Sequence, residues 1–537
     1  MSMIKAYPLP VKKILLLISV MLALTEVSRS QSVYAPYSYE FYQKFNADIY
    51  SVNSSFHTSL KPYLIDSIIA PKYNQITSIG VDSSRKNYFL RKIFNEHVFD
   101  ERTNEYTFYA DYIADLQAGK DFANHTTTYL NTRGYQLGGT IGDQFSFYSS
   151  GYEDQAKFAP YYQNVVEKIG FVPGEAYNRY YQTTTEADWS YVTAIMSYTP
   201  IKNHLNITLG EDKTFIGDGY RSLLLSDFAA NYPLLRVTAT LGRVQYMMMW
   251  ANLEDLNVPK YDTYGNNRRK WAAFHYVDWN VTNRLSLGYF NAMIAAEADD
   301  NGSSHGFDAN YVNPLVFAAS LGPKTPYPDN VLTGFTGKYK ILNKTAIYAQ
   351  LLLDRVGETI SPKNTGGYQV GIRGADLFNV TNFNYLFEYN TVKPYTYSSP
   401  QVITNYTDYS EPLGDPLGAN FKEAIAILDY SIGRFTFQGQ VNYASFGLDP
   451  NASVNYGQDV TLAFDPSTVE GSTTGQGLPT HLYYGEGTIA YLINPKYNLR
   501  FELGGLYRKQ ENSEGTQNTK LVTFGIRASF RQLYHDF

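Results

Sequence analysis

"NLRFELGGLYR", Asn498 to Arg508, is the stretch on which the fold turns. Leu499, Phe501, Leu503 and Tyr507 take alternate positions, and Arg500, Glu502 and Arg508 take the positions between them. Successive side chains of a strand point to opposite faces, so this segment has one apolar face and one charged face. "RFTFQGQVNY", Arg434 to Tyr443, repeats the pattern. There Phe435, Phe437, Val441 and Tyr443 alternate with Thr436, Gln438, Gln440 and Asn442. In "LVTFGIRASF", Leu521 to Phe530, the apolar parity is Val522, Phe524, Ile526, Ala528 and Phe530, set against Thr523, Arg527 and Ser529.

A soluble sandwich also alternates, so the neighbouring features must choose. The polar rows of Gln, Arg, Glu and Asn suit a watery lumen, and the Phe, Leu and Tyr rows suit lipid. The connections look unequal: "INPKYN" (Ile493 to Asn498) is a tight turn, whereas "KQENSEGTQNTK" (Lys509 to Lys520) reads as a long polar loop. Short turns on one side and long loops on the other characterise outer-membrane barrels, and only a closed sheet leaves no unpaired edge in a bilayer. The 50 tyrosines and 31 phenylalanines suit a boundary between water and an apolar phase.

The N-terminus reads as an address rather than a structural element. Lys5, Lys12 and Lys13 precede the apolar run "ILLLISVMLAL", Ile14 to Leu24, and Ser28 and Ser30 stand just before Gln31. A basic region, a short apolar core and a small-residue exit make residues 1–30 a secretory signal peptide, with residues 31–537 as the barrel. The chain has no cysteine, hence no disulfide framework and no thiol for a lipid anchor. A net charge of −6 offers nothing to nucleic acid. Strands of about 10 residues give roughly 16 to 20 strands in one domain. "KFAPYYQNVVEKIG", Lys157 to Gly170, breaks the alternation with Tyr161, Val165, Val166 and Ile169 at helical spacing, which predicts a short helix capping the periplasmic end. The terminal Phe537, behind Leu533 and Tyr534, resembles the aromatic signal read by the barrel assembly machinery.

Catalytic patterns fail on context. "GSSHG", Gly302 to Gly306, has Ser304 where a hydrolase nucleophile would stand, but a polar loop follows where a helix is required. "GDGYRS" has Ser222 in place of the third glycine of a dinucleotide loop. No HExxH occurs and carboxylates are not paired, so no catalytic residue, cofactor or metal is expected. "NNRRKW", Asn266 to Trp271, is the one tight basic cluster, readable as a solvated loop flank or as a contact for an acidic polymer.

Seven segments in order carry a family resemblance. They are "FIGDGYRSLLLSD" (Phe215 to Asp227), "HYVDWNVTNRLSLGYF" (His275 to Phe290), "YVNPLVF" (Tyr311 to Phe317), "DNVLTGFTGKY" (Asp329 to Tyr339), "YAQLLLD" (Tyr348 to Asp354), "FEYNTVKPYTY" (Phe387 to Tyr397) and "EPLGDPLGANFKE" (Glu411 to Glu423). The series resembles the capsule assembly protein Wzi family in its Bacteroidetes form, which includes the gliding motility protein RemB. The resemblance runs from about Phe56 to the C-terminus. It implies an all-β fold: a large antiparallel transmembrane outer-membrane β-barrel of about 18 strands with a short periplasmic helical element. It also implies a surface lectin that anchors capsular polysaccharide, with gliding motility as a related role. The chain departs from it at Ala318 and Ala319, where an aromatic–arginine pair is expected, and at Arg355, where an acidic residue is expected.

The expectation is therefore a monomeric, non-enzymatic barrel in the cell outer membrane, with lipid and surface polysaccharide as partners. A general porin for small solutes is the alternative. "FIGDGYRSLLLSD" is expected to be a strand and turn of the barrel wall, bent at Gly217 and Gly219. Two groups are candidates for ligand at the rim: Arg268, Arg269, Lys270 and Trp271, and Asp218, Arg221 and Asp227.

Overall fold

Eighteen long strands pair in sequence order, each antiparallel to the next, and the last returns to the first. A computed structural model describes residues 33–65, 68–180, 185–258, 267–299, 303–304, 330–355, 365–451 and 453–537. The expected signal peptide, "YVNPLVF", Ala318 and Ala319 lie outside the described residues. In chain order the wall strands are β1 (Tyr106–Asp121), β2 (Thr126–Ile141), β3 (Phe145–Lys157), β4 (Ala187–Ile201), β5 (Leu205–Asp212) and β6 (Tyr232–Leu241). Next come β7 (Val244–Asp255), β8 (Arg268–Asn280), β9 (Leu285–Ala296), β10 (Asn330–Leu342), β11 (Thr345–Arg355) and β12 (Gly367–Gly374). The circuit finishes with β13 (Phe383–Val392), β14 (Phe421–Ile432), β15 (Phe435–Leu448), β16 (Leu478–Asn494), β17 (Leu499–Asn512) and β18 (Gly515–Arg527). At the seam Leu521–Ile526 of β18 pair with Leu116–Asp121 of β1, and the short strand Phe99–Arg102 pairs lower on the same edge of β1.

The period of two sorts residues between two environments. Phe501, Leu503, Val522, Phe524 and Val441 face outward and are exposed, while Arg500, Arg508, Gln440 and Asn442 face inward and are buried. An apolar band that circles the whole cylinder is far larger than a water-soluble monomer tolerates, and it matches a lipid-facing wall. Exposed rings mark both borders of the band. Trp279, Tyr339, Phe435 and Tyr491 stand toward one end, and Tyr368, Tyr443 and Tyr483 toward the other.

The two ends differ in their connections. One carries tight turns such as 142–144, 242–243, 343–344 and 433–434; at the other stand longer connections such as 213–231, 393–420 and 449–477. By the usual asymmetry the tight turns are periplasmic. Two sequence expectations change here. The polar stretch Lys509–Lys520 is no loop, because β17 and β18 run on as a hairpin to the pair Asn512–Gly515. The expected helix exists as α3 (Pro160–Ile169), ended by Gly170 at φ 71, but it follows β3 at the long-connection end. At the short-turn end the helices are α1 (Ala70–Ile76) and α2 (Tyr88–Phe94), held where Asn494 Nδ2 donates to the carbonyls of Lys92 (3.1 Å) and Glu96 (2.9 Å).

The lumen is filled by several parts of the chain, the connection 393–420 among them, whose Tyr397 and Tyr406 hydroxyls donate to the Leu223 and Leu224 carbonyls. The N-terminal segment enters from the short-turn end, the connection between β5 and β6 folds inward, and residues 528–537 turn back inside after β18. Ala528 and Phe530 therefore do not continue the lipid face. Ala528 N donates to Asp115 at 2.7 Å, and the Phe530 ring packs 4.8 Å from Phe41. Phe537 lies inside too, 5.3 Å from the Tyr162 ring, so it does not terminate a wall strand.

Candidate functional site

The stretch expected in the wall is the plug. From Thr214 to Asn231 nearly every residue is buried, and only Phe215–Ile216 pair as a strand, with Leu60–Lys61 of the N-terminal segment. An aperiodic backbone inside a barrel needs partners for its N–H and C=O groups. The inward polar rows of the wall supply them. Gln350 Oε1 accepts from Leu223 N at 2.9 Å, Gln369 Nε2 donates to Arg221 O at 3.0 Å, and Glu388 accepts from the backbone N of both Tyr220 and Arg221. Gly217 and Gly219 are the points of closest approach, where a Cβ would collide with Gln350 and Glu388. Leu223, Leu224 and Leu225 then enter an apolar patch on the inner wall, made by Met247, Met249, Phe274, Phe290 and Leu332.

The charges of this stretch are consumed internally. Arg221 is 1 % exposed and lies 3.1 Å from Glu423 and 3.0 Å from Asp536. Asp218 accepts from Tyr50 (2.7 Å), Ser59 (2.8 Å) and Thr58, with Lys338 at 3.8 Å. Burial opposes the Asp218 charge, yet Lys338, Lys61 and these donors hold its carboxyl well below the usual range. Asp227 accepts from the Tyr534 hydroxyl at 2.7 Å. The three candidates Asp218, Arg221 and Asp227 thus come together as plug residues rather than as a rim surface.

The basic cluster is divided by its own strand. Arg268–Asn280 is β8 from its first residue, so Arg268 and Lys270 point inward and are buried, while Arg269 and Trp271 fall on the outer face. Lys270 Nζ reaches Asn405 O (3.0 Å), Thr407 Oγ1 (2.9 Å) and Asp255 (3.4 Å), pegging the connection 393–420 to the wall. Glu254 N donates to Asp408 Oδ1 at 2.9 Å, and Tyr409 N donates to Glu254 O at 2.7 Å.

That peg builds a surface on the long-connection rim. The Tyr409 ring stacks on Phe171 at 4.8 Å, with Tyr177 edge-on at 5.4 Å. Asn267 Nδ2 bridges Glu254 (2.8 Å) and the Tyr177 hydroxyl, and Arg269 Nε stands 4.0 Å from Glu254. Asn257 Nδ2 reaches Ser410 Oγ at 3.4 Å. Tyr177 is 41 % exposed. Aromatic faces flanked by a carboxylate, amides and a guanidinium offer apolar contact and directional hydrogen bonds to a polyhydroxylated ligand. Of the seven residues named from sequence, Arg269 stands at this patch through its contact with Glu254. Tyr177, Tyr409, Glu254 and Asn267 come from four separate elements, and no local pattern announced them.

Ser304 pairs with Ala298 in an isolated bridge, and the residues after it lie outside the described ones. Among the described residues no cluster of three or more metal-ligating side chains occurs.

No protein-family model matches the sequence, and no curated protein matches it. In structure the chain is similar to Wzi of Escherichia coli, an outer membrane protein involved in group 1 capsule assembly and described as a carbohydrate-binding β-barrel. That alignment has a TM-score of 0.56 at 12 % identity and covers 93 % of this chain and 99 % of Wzi. Pseudomonas aeruginosa OprD aligns with a TM-score of 0.41 at 9 % identity, over 78 % of this chain and 94 % of its own. Acinetobacter baumannii OccAB2 aligns with a TM-score of 0.42 at 8 % identity, over 78 % and 96 %. The likeness to Wzi is one of fold, and it runs almost the full length of both chains.

Proposed function

We propose that this chain is an outer-membrane barrel that binds surface polysaccharide at its long-connection rim and holds it on the cell. The observation that carries the reading is the pairing of a rim patch, with Tyr177 and Arg269 exposed and Tyr409, Glu254 and Asn267 half-buried, with a lumen stoppered by buried ion pairs. A pore for solutes keeps its lining side chains wet, whereas Arg221, Glu423 and Asp536 at the middle of this lumen are 1–2 % exposed. The carbohydrate-binding role of the structurally similar Wzi supports the same reading. The protein acts by binding rather than by catalysis, as a monomer delivered by its leader and inserted by the barrel assembly machinery. Capsule retention comes first; a part in gliding rests on the sequence resemblance to RemB alone.

The test is a retention assay on cells carrying Tyr177→Ala together with Tyr409→Ala. Loss of two stacking rings is expected to release most surface polymer while the heat-modifiable barrel band is unchanged. Full retention in a correctly assembled double variant refutes the rim as the binding surface.

A further inference from the structure

A cavity of about 360 Å³ opens at the opposite end of the barrel, between the inner wall and the N-terminal segment. Its volume falls in the range of small-molecule sites, about 300–1,000 Å³. The wall side is polar, lined by Asn206, Arg236, Thr238, Thr240 and Gln245, and the facing side carries Phe56 and Tyr63. These two rings meet edge to face at 4.9 Å. His204 stands exposed among the lining residues, and its Nδ1 donates to the Thr240 carbonyl at 2.8 Å, which leaves Nε2 as an acceptor.

Arg236 gives the cavity its chemistry. It is 3 % exposed, its hydrogen bond runs from Nη1 to Thr214 Oγ1 at 3.0 Å, and among the described residues it makes no ion pair. Asp212 lies within electrostatic reach of Arg236 and accepts the Tyr34 hydroxyl. Arg236 lines the cavity, and the planar fork of a guanidinium fits a carboxylate. Hydroxyl and amide groups on one side and aromatic carbon on the other suit a sugar ring.

We propose that this cavity is a second binding site, at the periplasmic end, for a carboxylated sugar such as a hexuronate. Arg236 takes the carboxylate, Gln245, Thr238 and His204 take hydroxyls, and Phe56, backed by Tyr63, covers the apolar ring face. The site stands apart from the rim and does not depend on the reading of the rim.

Isothermal titration calorimetry on the full chain in detergent micelles tests it, with glucuronate, glucose and inorganic phosphate as probes. Glucuronate is expected to bind saturably at one site, with glucose and phosphate each about tenfold weaker. Arg236→Gln is expected to weaken glucuronate about tenfold or more, and His204→Ala about threefold. His204 is at the exposed mouth, so its variant decides the matter should Arg236→Gln not assemble. Tyr409→Ala, on the far rim, is expected to leave the glucuronate heat unchanged, which separates this site from polymer retention. No saturable heat, phosphate binding as tight as glucuronate, or unchanged affinity in His204→Ala overturns the proposal.

Discussion

Arg221 Nη2 and Asp536 Oδ2 lie 3.0 Å apart inside the barrel, although 315 residues separate them along the chain. Glu423 from β14 completes the group, so plug, tail and wall share one guanidinium. Removing one partner of a buried ion pair strands the others, at about 3–5 kcal/mol. Arg221→Ala is therefore expected to lower sharply the temperature at which the folded band disappears on semi-native gels. An unchanged transition would mean the three parts are held by other contacts.

The same group bears on conduction. In planar bilayers the intact chain is expected to give no large, steady single-channel current. Truncation after Arg527 removes Arg531, Tyr534 and Asp536, and is expected to produce intermittent openings. Steady currents from the intact protein would favour the porin alternative.

Neighbours in "RRKW" are expected to behave oppositely. Lys270→Ala leaves Asp255, Thr407 and the Asn405 carbonyl without their buried cation and should destabilise the connection 393–420 by about 3–5 kcal/mol. Hydrogen exchange of that segment reads the change. Arg269→Gln should leave exchange alone and reduce polymer retention about twofold, with the difference fading in high salt.

Glu411 makes the plugging connections sensitive to pH. Burial pushes its carboxyl up to about 8, against the opposing pull of the Gly174 and Ala230 N–H groups and of Lys213. A carboxyl whose folded value lies above its unfolded value, about 4.3, stabilises fully below that point. Its contribution shrinks as pH rises and is gone above about 8. Limited proteolysis within 393–420 should accelerate from about pH 5 to about pH 8 and level off above, and Glu411→Gln should flatten the profile.

On the lipid face, Val441→Arg in β15 is expected to cost about 2–4 kcal/mol near mid-membrane and to reduce the assembled fraction. The readout is the ratio of folded to unfolded bands in outer-membrane preparations. Normal assembly would remove Val441 from the lipid-facing band.

The wall was legible because its strands separate two environments, and a period of two writes that difference into sequence. Phe435, Phe437, Val441 and Tyr443 face lipid as their spacing requires. The plug was not legible, because its order is supplied by distant partners. Nothing near Gly217 announces Gln350, and nothing near Arg221 announces Glu423 or Asp536. "RRK" misled for the converse reason: three adjacent cations look like one patch until a strand turns the middle one outward. Phe537 suggested an exposed strand end, yet the chain has already left the wall at Arg527.

β18 hands the chain directly to the segment that stoppers the lumen, so the strand that shuts the cylinder and the residues that load it are consecutive. A cylinder sealed first would have to admit Arg531, Tyr534 and Asp536 past the helices and tight turns at its foot. Loading the interior before the seam is zipped is therefore the order of assembly that this connectivity favours. The short zipper of Leu521–Ile526 against Leu116–Asp121 is suited to being the last piece of backbone to join.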